Sequence, residues 1–267
     1  MATRKGTTGK EVINYDERLA ALAEESAGME ARVGGGGSYI SIRGGNFTFR
    51  EEILGNPFQC VVLEHCLDNA YYVGGFDPDN PSSPVCFAVA RGAEEDLAPH
   101  EDAPEPQSEL CIDCPQNEWG TADTGRGKAC KNGRRLALLH MDDLENGGVE
   151  EAEVAMLRVP PTSLKYWASY VKKLTRTMKL PPLAVVTEME LVMDSEYPEI
   201  KFSFVGAVEG KEQIAALLAK RDEIIEDLTM PYDLTNYIPP EERNKPKRRG
   251  PANKARSAGG KARRSAR

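Results

Sequence analysis

Residues 91–133 show no apolar periodicity, and three of the chain's six cysteines fall inside them. A stretch that long does not persist as bare loop in a compact domain unless something organises it. Cys111 and Cys114 stand three apart and would place two thiolates on one tight turn, at the separation a tetrahedral metal needs. Cys130 returns after a Gly-rich run. The chain is therefore constrained to ordinary elements interrupted, at about 86–135, by a metal-stapled insertion. Thiolates at this spacing predict a structural Zn²⁺ that leaves no open position for water. For the fourth ligand, Cys86 is preferred, because it sits where a strand leads into the insertion. His100 is its rival and His140 a third candidate. Cys60 and Cys66 lie in an apolar run and are assigned to the core.

Six cysteines with no secretory leader in view predict thiols or metal ligands in a reducing compartment, and a cytoplasmic protein. No run of about 18 apolar residues is present, so no membrane partner is expected. The net charge of −8 hides an asymmetry. Residues 243–267 hold 11 Lys and Arg and no acid, leaving 23 basic against 42 acidic groups before them, a balance of −19. Such a body cannot attract nucleic acid through its mean field. It needs a local basic groove.

Along the chain, residues 1–37 read as a polar arm with a helix over 15–31, ended by the glycine run 34–37. Tyr39–Arg43 and Asn46–Arg50 alternate around Gly44 and Gly45, a hairpin signal. Phe58–Leu67 predicts a central strand, with 70–73 continuing it past a bend. A turn cluster at 77–84 and a strand at 85–90 follow. Strands are predicted at 135–141 and 153–159. Pro160–Ser163 stops the second and caps a helix over 164–178, whose stripe is Leu164, Trp167, Val171 and Leu174. Strands at 183–193 and 199–208 form a second hairpin. A helix over 211–228 ends the domain 38–238, and residues 239–267 read as a disordered basic tail. The fold class expected is mainly β with helices (α+β): a Greek-key barrel like the oligonucleotide-binding fold, carrying a zinc-stabilised insertion.

Enzymatic readings fare poorly. The run Gly125–Lys128 lacks the first glycine and the closing Ser or Thr of a nucleotide-binding P-loop, and it ends at a cysteine instead of opening a helix. A deaminase zinc site needs a Glu beside its ligand in a pattern that 100–102 does not provide. Single-strand binders need π-faces for bases and cations along the backbone. Tyr72 and Trp119 are the candidate faces. Arg43, Arg50, Arg126, Lys128, Lys131, Arg134 and Arg135 are the candidate phosphate contacts. No catalytic residue is assigned.

The stretches 84–88 and 98–100, Cys111–Ala122 and Gly125–Leu136 resemble phage-type single-stranded DNA-binding proteins of oligonucleotide-binding fold. The resemblance is specific over about 84–136. It implies a role in phage DNA replication or recombination, in the host cytoplasm. It also implies a zinc held by Cys86, Cys111, Cys114 and Cys130; single-stranded DNA is the expected partner, with replication proteins as further candidates whose recruitment is not carried over from the resemblance. The chain departs from those proteins at its end, which is basic where theirs is commonly acidic. The alternative is a zinc-containing interaction module of a replication or transcription complex that touches nucleic acid only through its tail.

Overall fold

A computed structural model describes residues 39–50, 52–75, 82–146, 148–193 and 198–243. The helix expected at 15–31, the glycine run at 34–37 and the tail from 244 lie outside the described residues.

Strands β1 (Ile40–Arg43), β2 (Asn46–Phe49) and β3 (Glu52–Gly55) form a small antiparallel sheet. Gly44 and Gly45 turn β1 into β2 with φ of 57° and 77°. Both central positions are left-handed, the geometry that matches strand twist in a two-residue hairpin. Strand β3 was not expected, because its four residues, Glu-Ile-Leu-Gly, offer no alternation and leave Ile53 67% exposed.

The larger sheet is built on β4 (Phe58–Tyr71), longer than the predicted strand because 68–71 continue it without a break. Around it stand β5 (Cys86–Ala90), β6 (Lys131–His140), β7 (Ala155–Val159), β8 (Val185–Val192) and β9 (Glu199–Ala207). The order is β7-β6-β4-β8-β9, all antiparallel. Strand β6 runs along one side of β4. The other side is shared: β8 pairs with Phe58–Val61 and β5 with Leu67–Tyr71.

A bulge between Val62 and Glu64 decides which residues of β4 face where. A bulge inserts one residue and so inverts the alternation beyond it. Before it, Phe58, Cys60 and Val62 join one core and Val61 and Leu63 the other. After it, Cys66 and Ala70 join the second core, which turns Leu67, Asn69 and Tyr71 to the first face. Helix α1 (Met141–Glu145) is a single short turn. Helix α2 (Leu164–Lys172) brings Trp167 and Tyr170 to the first core, the turn after it adds Leu174, and α3 (Lys211–Leu228) brings Leu217 and Leu228 to the second. Each such side chain stabilises the fold by about 1.5–3 kcal/mol.

Two expectations change here. The α+β class with antiparallel strands is found, but among the described residues the sheet is open, with β7 and β9 at its edges. Helices cover its two faces, so its apolar surface is buried by layering instead of by closure. Ser163 does not cap α2 through its side chain. Its Oγ accepts from Ile200 N at 2.8 Å and ties the helix start to β9. The stop at Pro181 holds: α2 widens into a π-turn over Lys173–Met178, and Lys179 exits left-handed at φ 61°.

After α3 the chain forms a strap over 229–243. Tyr232 Oη donates to Asp68 Oδ1 (2.7 Å), and Ser83 Oγ to Asp233 O (2.7 Å). The strap ends in α4 (Pro240–Arg243), a short turn where the sequence predicted disorder. Among the described residues no helix is long and apolar enough to cross a membrane.

Candidate metal centre and nucleic-acid groove

The topology brings four cysteines to one end of the large sheet. Cys86 opens β5 opposite Tyr71, and Cys130 precedes Lys131, which pairs with Ala70. The two thus flank the end of β4 on neighbouring strands. Cys111 and Cys114 arrive on the insertion. Cys111 N donates to Leu97 O at 2.7 Å, and Cys130 N to Gln116 O at 2.8 Å. Asn117 closes the turn between the first two: its backbone N donates to Cys114 O (2.8 Å) and its Nδ2 to Cys111 O (2.7 Å). Pro115 opens the short 3₁₀ turn that presents Asn117. All four thiols border one cavity of about 10 Å³, together with Asn69, Tyr71 and Phe87. That is the room of about one water-sized sphere.

The thiols are free. Burial pushes Cys111 up to about 11 and Cys130 up to about 12, and the neighbouring cysteines push both in the same direction. Burial raises Cys86 as well, against a backbone hydrogen bond from Gln107. Cys86, Cys111 and Cys130 are therefore neutral near pH 7 unless a cation draws their protons off. Among the described residues no group of three or more His, Cys, Asp or Glu stands in a metal-holding arrangement. The cysteines border the cavity without being drawn onto one point. As a donor set, four sulfurs around a space of this size suit Zn²⁺.

The rival ligands stand elsewhere. His100 stacks on Phe87, its Nδ1 accepts from Asp102 N at 3.1 Å, and it does not border the cavity. His140 ends β6 opposite Cys60, the far end from Cys130, and its side chain caps α1.

A groove of about 550 Å³ lies beside the cysteines and shares Asn69, Cys111, Asn117 and Cys130 with their cavity. Trp119 stands 81% exposed at its wall, with Lys128 Nζ 5.9 Å from the ring centroid. Lys128 also donates to Asn117 Oδ1 at 3.1 Å, and Lys131 Nζ to Lys128 O at 2.9 Å. Asn132 and Arg134 enter from β6, and Pro161 and Leu164 from the start of α2. The groove is not purely basic: Glu94 and Glu95 also line it, and Arg134 is ion-paired with Glu94. The loop beneath Trp119 turns at Gly120 and Gly127, both at positive φ and joined by a 2.8 Å backbone hydrogen bond.

Of the nine predicted nucleic-acid contacts, Trp119, Lys128, Lys131 and Arg134 line this groove. Arg126 is exposed on the same loop but outside the lining. Arg43 and Arg50 lie at the small sheet, where Arg50 is ion-paired with Glu153 and sits over Phe49. Tyr72 packs into the second core, on the opposite face. Arg135 requires correction. Its side chain is 3% exposed, and it donates to Leu228 O (3.0 Å) and Met230 O (2.7 Å) between the rings of Tyr39 and Tyr232. It caps the end of α3 and cannot track a phosphate. Asn69, Asn117 and Asn132 border the groove and were missed, because isolated amides carry no spacing signal.

No protein-family model, curated protein or solved structure matches this chain.

Proposed function

We propose that this protein binds single-stranded nucleic acid, DNA in the first instance, in the groove between the cysteine-bearing loop and the start of α2. The observation that carries this reading is Trp119. A tryptophan 81% exposed, steadied by Lys128 and followed by Lys131 along the wall, presents an aromatic face beside two cations. That is the combination a stacked base and its phosphate use, and stacking on one aromatic contributes about 1–3 kcal/mol per base. Zn²⁺ held by Cys86, Cys111, Cys114 and Cys130 would fix the loop that presents it. The resemblance of residues 84–136 to phage-type single-strand binders supports a place in replication or recombination.

Tryptophan emission gives the test. Trp167 is 3% exposed in the first core, so quenching by oligo-dT would report on Trp119. The full chain is expected to quench with the single strand more strongly than with its duplex. Read instead by the anisotropy of a labelled oligo-dT, Trp119→Ala is expected to weaken binding by about 5- to 150-fold, the equivalent of one lost stacking contact. Unchanged affinity in that variant would remove the groove as the site. The second reading, a protein-docking loop, draws on Ile112, 57% exposed at the same wall. It predicts no quenching by either nucleic acid.

A further inference from the structure

The groove carries a pair of amides that the fold itself does not use. Asn69 on β4 and Asn132 on β6 are register partners, so their side chains leave the same face of the sheet, about 5 Å apart at Cβ. Both line the groove. Asn69 is 5% exposed and borders the cysteine cavity as well. Its amide N–H donates to the Cys111 sulfur, which favours that thiolate against the effect of burial. Sulfur accepts better than it donates, so the amide turns its N–H to Cys111 and its carbonyl the other way. Among the described residues no N–H or O–H reaches that Oδ1, and Asn132 makes no side-chain hydrogen bond. Asn117, the third amide of the groove, differs: both ends of its side chain are taken, by Cys111 O and by Lys128. A buried acceptor without a partner is costly to keep. Leu67, Leu97 and Leu164 stand in the same lining, and a hydrogen bond formed beside apolar walls is worth more than one in open water.

We infer that Asn69 and Asn132 read the base held in the groove and select one with an exocyclic amino group, adenine or cytosine, over thymine. This rests on the groove being a single-strand site. Adenine offers its N6 amino group and cytosine its N4 amino group as donors, where thymine offers O4, an acceptor. The amino group donates to Asn69 Oδ1. Thymine O4 in that place sets two acceptors against each other and leaves the Asn69 carbonyl unpaired. The ring nitrogen beside the amino group accepts from the Asn132 amide. Asn132 can turn its amide over to suit either edge, since nothing among the described residues holds it. Asn69 cannot, because Cys111 holds its N–H. The selectivity therefore lies in Asn69, and Asn132 strengthens it. Stacking on Trp119 and the phosphate contacts of Lys128 and Lys131 carry no such preference.

The test titrates the full chain with labelled strands of about 6 nucleotides, read by anisotropy. Oligo-dC is set against oligo-dT, and oligo-dA against the same strand built of purine without the amino group. Each pair keeps the ring system and changes the exocyclic group. The ratio of affinities within a pair is the readout. The amino-bearing strand is expected to bind about tenfold more tightly in both pairs, within the range of one good base-edge contact. Asn69→Leu, close in volume and without an amide, is expected to bring both ratios close to unity. Asn132→Leu is expected to lower them in part. Ratios of unity in the unaltered protein, with binding still sensitive to Trp119→Ala, overturn this inference and leave the groove reading intact. Ratios that survive in a folded Asn69→Leu overturn it too. Where Asn69→Leu does not fold, Asn132→Leu decides: ratios unchanged in that variant deny the pair its role. Binding that Trp119→Ala does not affect overturns both readings.

Discussion

Asp68 is the most consequential side chain outside the cysteine end. It is fully buried on β4 and accepts from Arg158 Nε at 2.8 Å and from Tyr232 Oη at 2.7 Å, with Arg135 Nη2 3.7 Å away. One carboxylate thus answers two guanidinia and latches the strap. Arg158 reaches it from β7 across β6, where the intervening residue is Gly133. A Cβ there would meet Asp68 O and Val159 O at 3.1 Å and Arg158 Nε at 3.5 Å. Two of those neighbours are backbone and cannot give way cheaply. Gly133→Ala is expected to destabilise by about 1–3 kcal/mol. Asp68→Asn, which leaves the buried Arg135 and the half-buried Arg158 underpaired, is expected to cost about 3 kcal/mol. Both are read as urea midpoints of the full chain, and an unchanged midpoint for Asp68→Asn would deny the network its structural role. The basic run 131–135 was legible as a cluster, but its division was not. Asn132 and Arg134 pair with Asn69 and Leu67 on the groove face, whereas Arg135 pairs with Cys66 on the α3 face. Only knowing that the strand begins at Lys131, inside the apparent loop, assigns adjacent arginines to opposite sides of a sheet.

At the scale of elements, most strands and both long helices could be read from alternation and stripes, because each buries one face against a core. The insertion could be read only as cysteine spacing. What brought Cys86 to the others was its pairing across β4, a long-range fact that no local pattern encodes. The inversion at the Val62/Glu64 bulge was hidden for the same reason. It decides that Asn69 and Tyr71 face the cysteines and Asp68 the strap. The thiols give this end of the sheet a distinct pH response. In the metal-free chain, Cys66 is raised to about 12, Cys111 to about 11 and Cys130 to about 12, chiefly by burial. Folding thus favours protonated thiols. The stability they confer is complete below the ordinary thiol value near 9 and is lost as pH climbs toward 11–12, where only the unfolded chain would ionise. Stripped of metal, the protein is expected to lose stability between pH 9 and 10.5 in urea melts. With Zn²⁺ on the four thiolates that loss is expected to shrink, because Cys111 and Cys130 are then already deprotonated. Metal uptake near pH 7 should release protons, and the affinity should fall as pH is lowered. Elemental analysis showing no zinc in the unaltered protein, and no uptake after adding it, would remove the metal from this end of the fold.

For the whole molecule, charge is distributed so that attraction to a polyanion is local. The body before residue 243 repels nucleic acid on average, and two parts of the chain oppose that: the Lys128–Lys131 wall and, in the sequence, the basic run after residue 243. This asymmetry was legible from composition alone. The placement of Lys128 and Lys131 on one groove wall was not, because it depends on the loop fold around Asn117 and Lys128. The salt dependence of binding separates their contributions. Each phosphate neutralised on a single strand adds about −0.7 to the slope of log affinity against log salt. Lys128→Gln with Lys131→Gln is expected to flatten the slope for a short strand by about 1.4 on that basis. Neutralising the tail should leave the short-strand slope unchanged and flatten the long-strand slope well beyond that amount. Arg135→Gln is expected to lower the urea midpoint instead, since the guanidinium it removes holds Leu228 and Met230 and faces no solvent. If the short-strand slope ignores Lys128 and Lys131 but follows the tail, the folded domain contributes no phosphate contact, and its exposed tryptophan is turned toward a partner of another kind.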